Sequence, residues 1–178
     1  DDLWGDEYKL CAKIIIKFEN GKEIQYKTDE TWNVKRSKEL LNNIYDGEIV
    51  DYSKKSREIE DVIISNEKYN LIPDFSVLIV QKDVLYPELY ISPRKETILD
   101  FKQNMVGFVR YKGSLNYGQT IKMSHGEILQ NNNFYNANLR SAKQVFKFTG
   151  DGEKRIYEPK FTYFGFRYVL VEGLANVN

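Results

Sequence analysis

The sequence predicts an all-β protein made of antiparallel β-sandwiches of the jelly-roll kind, a partial one followed by a complete one. Short apolar runs recur with turn residues between them at roughly 8–12 residue spacing, as in sandwiches and jelly rolls. Segments such as "FVRYK" and "VFKF" alternate apolar and polar residues, which favours antiparallel strands with one solvated face. No long stretch shows the apolar periodicity of a helix.

The first section, residues 1–65, contains several predicted strands. Two apolar runs flank Asn20-Gly21, a pair that suits a type I′ hairpin turn. In "DETWNVKRS" the period of two places Trp32 and Val34 on one face. The stretch "NNIYDGE" is predicted to be a turn that leads into a short strand, and a further strand is predicted from Val62 to Ser65.

A polar, proline-containing stretch at residues 66–75 predicts a linker, and residues 76–174 predict the second, complete sandwich. Short helical turns are possible in "SKELLNNI" and "NANLRSAKQV". The predicted strands of this section are "FSVLIVQ", "VLYPELYIS", "ETILDF", "MVGFVRYKG", "QTIKMSHGEIL", "KQVFKFTG" and "FTYFGFRYVLVEG".

The composition excludes several classes of function. The 178 residues include 26 basic and 26 acidic side chains, so the chain lacks the positive excess typical of nucleic-acid-binding proteins. No apolar run reaches the length of a membrane span. A single cysteine, Cys11, and a single histidine, His125, make an N/S metal site improbable. Cys11 lies in the apolar run "LCAKIII" and is predicted to be a buried thiol. The polar first residues and the lack of disulfides favour a cytoplasmic protein over a secreted one.

One pair of residues suggests acid–base chemistry. His125 and Glu127 lie two residues apart in "SHGEIL", so a catalytic histidine–carboxylate pair is one interpretation. The preferred interpretation is structural, with a histidine at a strand end and a carboxylate facing a neighbouring loop. Neither the G-x-S-x-G motif of serine hydrolases nor a glycine-rich phosphate loop is present.

Three carboxylates surround Gly47 in "IYDGEIVD", namely Asp46, Glu48 and Asp51. Oxygen ligands near a glycine turn can bind calcium or sugar hydroxyls, so these residues are the candidates if the chain has a ligand site. The preferred interpretation is a structural turn, and the spacing is not that of an EF-hand.

An ordered set of motifs resembles the N-terminal β-sandwich region of bacterial α-L-rhamnosidases over nearly the whole chain. The motifs are "TDETWNVKRS", "NNIYDGEIVDYS", "ILDFKQNMVGFVRYKG", "GQTIKMSHGEIL" and "NNNFYNANLRSAKQVFKFTGDGEKRIYEPKFTYFGFRYVLVEG". Three positions depart from the family pattern. Val50 replaces a tyrosine, Ser53 an arginine and Lys102 a glycine. The last change puts a turn in question, because glycine has free access to positive φ.

The resemblance implies a non-catalytic piece of an inverting glycoside hydrolase that releases terminal rhamnose. Such enzymes carry their catalytic acids in an α/α-barrel that follows the sandwiches, so we expect none in this chain. The expected partners are the chain's own catalytic domain and a rhamnose-containing glycan or glycoside, with no nucleic acid and no membrane. Related N-terminal modules include calcium-dependent rhamnose binders, so calcium is a possible ligand, although no cofactor is required. The motif residues for which the resemblance implies a structural role are Asp100, Gln103, Asn104, Glu127 and Arg167.

Three functional hypotheses follow: a structural scaffold of a hydrolase, a carbohydrate-binding module, and a self-sufficient hydrolase that uses Glu127 and His125. The scaffold hypothesis is preferred. It predicts that the strand in "FGFRYVLVEG" is covered on both faces and that its outer aromatics meet a catalytic domain. Arg167 is expected to stack with its aromatic neighbours and to pair with Glu158 or Glu127. Gly165 is expected to admit a neighbouring backbone or a bulge.

Overall fold

The computed structural model describes residues 9–55, 59–66, 72 and 75–174 and confirms the predicted all-β class. In these residues one 3-10 turn, Ala137–Leu139, accompanies fifteen strands. No helix in this part of the chain is long and apolar enough to cross a membrane. The strands are β1 (Lys13–Lys17), β2 (Glu23–Lys27), β3 (Asn33–Lys35), β4 (Glu39–Asn43), β5 (Gly47–Asp51), β6 (Ile59–Asp61), β7 (Glu88–Ile91), β8 (Thr97–Gly107), β9 (Tyr111–Ser114), β10 (Thr120–Gly126), β11 (Ile128–Gln130), β12 (Asn133–Tyr135), β13 (Val145–Thr149), β14 (Lys154–Tyr157) and β15 (Phe164–Glu172).

Two compact units divide the chain, and each is formed from two separate segments. The first unit contains Asp1–Arg36 and Arg57–Phe75, and the second contains Ser37–Ser56 and Ser76–Asn178. The sequence places residues 37–56 in the first section, whereas their contacts assign them to the second unit. The physical reason is that β5 pairs with β13 of the second unit. Most of the predicted linker at residues 66–75 lies outside the described residues.

The described part of the first unit consists of two antiparallel ribbons, β1 with β2 and β3 with β6. The predicted hairpin between β1 and β2 is confirmed, but its turn is not type I′, which requires two residues with positive φ. Of the two central residues of this turn, Asn20 and Gly21, only Gly21 has a positive φ, of 80°. Its N–H donates to the carbonyl of Phe18 at 3.0 Å, which defines a longer loop.

Cys11 is exposed in the first unit, so the predicted buried thiol is wrong. The apolar side chains of the neighbouring strand β1 are exposed as well. A two-stranded ribbon has no second layer of its own in which to bury an apolar run. An apolar sequence around a cysteine therefore does not by itself establish burial.

A seven-stranded sheet forms the second unit, in the order β4-β5-β13-β10-β15-β8-β7. The predicted antiparallel architecture holds for its pairs except β5 with β13, which are parallel and run in register from Gly47↔Val145 to Asp51↔Thr149. Parallel neighbours cannot be joined by a tight turn. Their pairing here joins segments that are far apart in the sequence.

One face of this sheet packs on the β9–β14 ribbon and forms the core of the sandwich. Phe148 of β13 stacks on Tyr157 of β14 with the ring centroids 4.6 Å apart, and Tyr111 of β9 stacks on Phe148 at 5.8 Å. Phe164 and Phe166 of β15 are buried on the same face. The opposite face is covered in part by the β11–β12 hairpin, because the Phe134 ring closes over Gly126. On the inner strand β15 the core-side residues Val169 and Val171 are buried, whereas Tyr168 and Leu170 on the opposite face are only partly buried, so the predicted cover is complete on the core face alone.

Three local predictions are wrong. The strand predicted from Val62 to Ser65 lies instead at Ile59–Asp61. Residues 75–87 contain no strand, although "FSVLIVQ" is strongly apolar, and its side chains are exposed. The segment "SKELLNNI" contains strand β4 rather than a helical turn. Tertiary pairing decides the conformation of such short apolar runs.

Candidate functional site

The three candidate carboxylates near Gly47 do not face a common point. Glu48 is fully buried, and its carboxylate accepts hydrogen bonds from the backbone N–H groups of Lys160, at 3.0 and 3.2 Å, and Phe161, at 2.9 Å. Asp46 pairs with Lys143 at 3.0 Å. Asp51 accepts hydrogen bonds from the N–H and hydroxyl of Ser53 at 3.1 and 2.6 Å. Each of the three carboxylates therefore bonds to a different residue, and the three do not share a partner.

Alternation along β5 explains this separation. Glu48 and Val50 are both buried on the core side, whereas Asp51 lies on the opposite side and is partly exposed. Across residues 9–55, 59–66, 72 and 75–174 no three histidine, cysteine, aspartate or glutamate side chains are grouped as metal ligands would be. The calcium hypothesis thus receives no support from the geometry of this turn.

The turn before β5 requires a glycine at position 47. The φ of Gly47 is +109°, and a Cβ at this position would lie 1.9 Å from the carbonyl oxygen of Val145. Only glycine lets the two parallel strands approach here. The structural interpretation of "YDGE" is the one that these contacts support.

Asp100 and Arg167 form a bidentate ion pair between β8 and β15. The Nε and Nη2 groups of Arg167 donate to the two carboxylate oxygens at 2.9 and 3.1 Å. The hydrogen bond from Arg167 lowers the pKa of Asp100 to about 2, and burial opposes this shift. The expected partners, Glu158 and Glu127, are wrong: Glu158 pairs with Arg110. The expected stacking is present, with the Arg167 guanidinium 4.8 Å from the Tyr168 ring centroid.

Lys102 adopts the left-handed conformation that the family pattern reserves for glycine, with a φ of +66°. Its N–H donates to Asp100 at 2.7 Å, and its ammonium group lies 2.7 Å from Glu88. The register of β8 and β15 shifts between Phe166 and Tyr168. Lysine therefore occupies a left-handed backbone position on β8 opposite this register shift.

A small polar cluster joins three of the motifs. Glu127 accepts hydrogen bonds from the side-chain amides of Asn104 at 3.3 Å and Asn138 at 3.1 Å. Gln103 is exposed beside this cluster. Glu127 thus links the 3-10 turn, through Asn138, to β8, through Asn104, a contact compatible with a structural role.

His125 lies at the end of β10, as predicted, and is completely buried. Its Nδ1 lies 2.9 Å from the carbonyl oxygen of Gln144, and because a carbonyl only accepts, Nδ1 carries the proton. The ring packs against Phe164 and Phe166 with centroids 4.2 and 4.8 Å away. Burial lowers the pKa of His125 to about 4. A neutral imidazole enclosed by phenyl rings fits a core role better than proton transfer to a bound substrate.

We define the outer aromatic face as Val106, Phe108, Tyr163 and Gly165. Gly165 of β15 pairs with Val106 of β8, and the next pair is Phe164↔Gly107. Tyr163 and Phe108 follow this pair, one residue beyond the ends of the two strands. Because Phe164 and Phe166 point into the core, alternation directs this set to the opposite face. Val106 is 74% exposed, Tyr163 39% and Phe108 36%.

The space above Gly165 is open, because a Cβ there would meet no atom within 4 Å. The expected close approach of a backbone is therefore wrong within the described residues. The expected bulge lies nearby, at the register shift between Phe166 and Tyr168.

Two important residues escaped the sequence analysis, Glu39 and Lys160. The ammonium group of Lys160 lies 2.8 Å from a carboxylate oxygen of Glu39 on β4. This hydrogen bond lowers the pKa of Glu39 to about 2. The two residues are 121 positions apart, so no local pattern could have paired them.

Comparison with protein families gives two matches that succeed one another along the chain. The α-L-rhamnosidase N-terminal domain matches residues 1–83. The bacterial α-L-rhamnosidase concanavalin-like domain matches residues 91–178.

Individual relatives agree with these matches. An α-L-rhamnosidase of Streptomyces avermitilis is 29% identical over 96% of this chain and 18% of its own length. One from Formosa agariphila is 27% identical over 96% of this chain and 20% of its own length. The chain thus spans about a fifth of the length of these relatives.

Solved structures show the same fold. The S. avermitilis α-L-rhamnosidase complexed with L-rhamnose gives a TM-score of 0.78 at 26% identity, with 94% of this chain and 18% of that chain covered. The α-L-rhamnosidase of Aspergillus terreus gives 0.71 at 26% identity, with coverages of 92% and 20%. The one from Dictyoglumus thermophilum gives 0.82 at 24% identity, with coverages of 99% and 22%. The two family matches, the shared fold and the ordered motifs all support the same conclusion. The chain belongs to the bacterial α-L-rhamnosidase family and corresponds to its N-terminal and concanavalin-like domains.

Proposed function

We propose that this chain is a non-catalytic β-sandwich part of an inverting α-L-rhamnosidase and that it supports the catalytic barrel of that enzyme. In the whole enzyme, one carboxylic acid would protonate the glycosidic oxygen while a carboxylate on the opposite side activates water. The ionisable motif residues described above are engaged in structural contacts, which favours a supporting role for this chain.

The observation that carries the proposal is the outer aromatic face. Large apolar side chains grouped on an exposed part of a sheet favour a protein partner. The proposed occupant is the rest of the parent polypeptide, because the relatives are about five times longer than this chain. The open space at Gly165 would admit a close approach by that partner.

The test uses the full-length parent enzyme with Val106→Lys and Tyr163→Lys together. We expect rhamnosidase activity to be lost at a lower temperature, because two buried ammonium groups would oppose docking. The same pair in the present chain should leave its own melting temperature nearly unchanged, since both side chains are exposed there. The matched control is Ile156→Lys, at a side chain that is 51% exposed on the β9–β14 layer. If the double variant behaved like this control in the full-length enzyme, the docking proposal would be wrong.

A second candidate function is binding of a rhamnose-containing glycan. It is supported by Tyr45, an exposed ring beside the partly exposed carboxylate of Asp46. An aromatic ring can cover the apolar face of a sugar while a carboxylate accepts its hydroxyls. Titration of the chain with rhamnose, with and without calcium, tests this candidate. Binding at millimolar or lower concentration that is lost in Asp46→Ala would support it, and no binding in either condition would refute it.

A further inference from the structure

The β4–β5 hairpin belongs to one unit by its contacts and to the other by its position in the sequence. The strands β3 and β6, which flank the hairpin in the chain, pair with each other in the first unit. The hairpin between them instead forms the first two strands of the seven-stranded sheet in the second unit. The match to the N-terminal domain includes this hairpin, whereas the match to the concanavalin-like domain begins at residue 91.

Backbone pairing along β13 shows how completely the hairpin is integrated. The parallel register extends over the whole of β5 and β13. Backbone hydrogen bonds between the two segments also precede β5. There the N–H groups of Gln144 and Val145 donate to the carbonyls of Tyr45 and Asp46 at 3.0 Å each. Another follows β5, where the Tyr52 N–H donates to Thr149 at 3.0 Å. Without the hairpin, β13 would be an unpaired edge.

Side chains of both hairpin strands also hold the loop between β14 and β15. Glu48 accepts the backbone N–H groups of Lys160 and Phe161, and Glu39 binds the Lys160 ammonium group. Tyr52 packs edge-on against the core residue Tyr157 with centroids 5.4 Å apart. Removal of the hairpin would leave two backbone donors without acceptors and open the core beside them.

We propose that the β4–β5 hairpin, residues 37–55, is an obligatory strand donor: the N-terminal domain supplies it to complete the sheet of the concanavalin-like domain and to fix the loop at residues 158–163. The second unit then depends on a segment that the family boundary assigns to its neighbour. The partner surface is the edge of β13, and the strand that fits it must carry glycine at 47 and an acceptor at 48. This inference concerns folding within the chain and is independent of the proposed docking to a catalytic domain.

The first test cuts the folded full chain after the exposed Lys55, at a protease recognition site inserted there. We expect residues 1–55 and 56–178 to elute together in gel filtration under native conditions, held mainly by β5 on β13, because the other strand pair that crosses the cut, β3 with β6, has only three residues in each strand. In the Gly47→Ala background, the two cleaved pieces should separate, because the added Cβ collides with the Val145 carbonyl. In the control Val34→Ala background, with an exposed side chain on β3, they should remain together. Separation of the unsubstituted pieces, or equal retention in both backgrounds, would overturn the proposal.

The second test avoids the risk that Gly47→Ala prevents folding. It measures amide hydrogen exchange in the uncut Glu48→Ala chain. Protection of the Lys160 and Phe161 amides should fall at least tenfold, while the amides of the β1–β2 ribbon should keep their rates. Unchanged protection at Lys160 and Phe161 would show that the hairpin does not hold the loop and would contradict the proposal.

Discussion

The buried carboxylate of Glu48 accepts the backbone N–H of Lys160, which lies 112 residues further along the chain, at 3.0 and 3.2 Å. The same carboxylate accepts the N–H of Phe161. A motif that could have supplied a ligand for calcium or sugar thus supplies an acceptor for the backbone of the loop between β14 and β15. Burial of a carboxylate is tolerated here because it is hydrogen-bonded.

We predict that Glu48→Ala lowers the free energy of unfolding by about 2–4 kcal/mol, since two buried donors lose their acceptor. Glu48→Gln keeps one carbonyl acceptor and should cost about half as much. Urea denaturation followed by far-UV circular dichroism measures both. Asp46→Ala, at a partly exposed ion pair, is the control and should change stability by less than about 1 kcal/mol. Equal effects of Glu48→Ala and Asp46→Ala would contradict the structural role of Glu48.

The stability of the chain should fall as the pH is lowered from 7 to 5 because of His125. Its pKa is about 4 in the folded protein and 6.5 in the unfolded chain, so the unfolded state binds a proton first. Stability from the neutral ring is therefore present above pH 6.5 and is lost as the pH falls toward 4. The expected loss between pH 7 and pH 5 is about 2 kcal/mol.

The control for this pH dependence is His125→Phe, because His125 is the only histidine of the chain. Asp100 and Glu39 have pKa values of about 2 in the folded state, against ordinary values of 3.8 and 4.5, so their contribution is lost below about pH 4.5. The comparison of pH 7 with pH 5 thus isolates the histidine. The same dependence in wild type and His125→Phe, measured by urea denaturation at each pH, would show that His125 is not its source.

Lys102 should accept glycine but not valine. Lys102→Gly relieves left-handed strain of about 1 kcal/mol, while greater freedom of the unfolded chain and loss of exposed ion pairs offset a similar amount. Its net effect should be smaller than about 1 kcal/mol. Lys102→Val should cost about 2 kcal/mol more, because a β-branched residue rarely adopts a positive φ. Equal unfolding midpoints for the two variants would contradict the observed backbone geometry.

Gly165 should tolerate a methyl group in this chain but not in the full-length enzyme. Gly165→Ala adds a Cβ with no atom within 4 Å, so the free energy of unfolding of the chain should change by less than about 1 kcal/mol. Gly107→Ala is a matched control, because its Cβ also has open space but lies on the opposite face. In the full-length enzyme, thermal inactivation should be faster for Gly165→Ala than for Gly107→Ala. Equal inactivation rates would argue against a partner at the outer aromatic face.

The sequence predicted those features that depend on local pattern. The all-β class followed from alternation, whereas comparison with a family motif only put the turn at Lys102 in question. The parallel pairing of β5 with β13 was not predicted, because it joins residues about a hundred positions apart and has no turn signature. Alternation likewise could not show whether Glu48 faces solvent or core. Its partners are backbone N–H groups of a loop that is distant in the sequence. Because such groups do not depend on the side chain, no residue type in the sequence marks them as partners.

Incubation of the purified chain with a nitrophenyl α-L-rhamnoside shows whether the chain hydrolyses a rhamnoside by itself. We expect no release of nitrophenol above the rate without protein, because His125 is buried as a neutral ring and Glu127 is bound by two amides. Nitrophenol release that follows protein concentration and disappears in Glu127→Gln would contradict it. That result would make this chain a self-sufficient hydrolase rather than a supporting part of one.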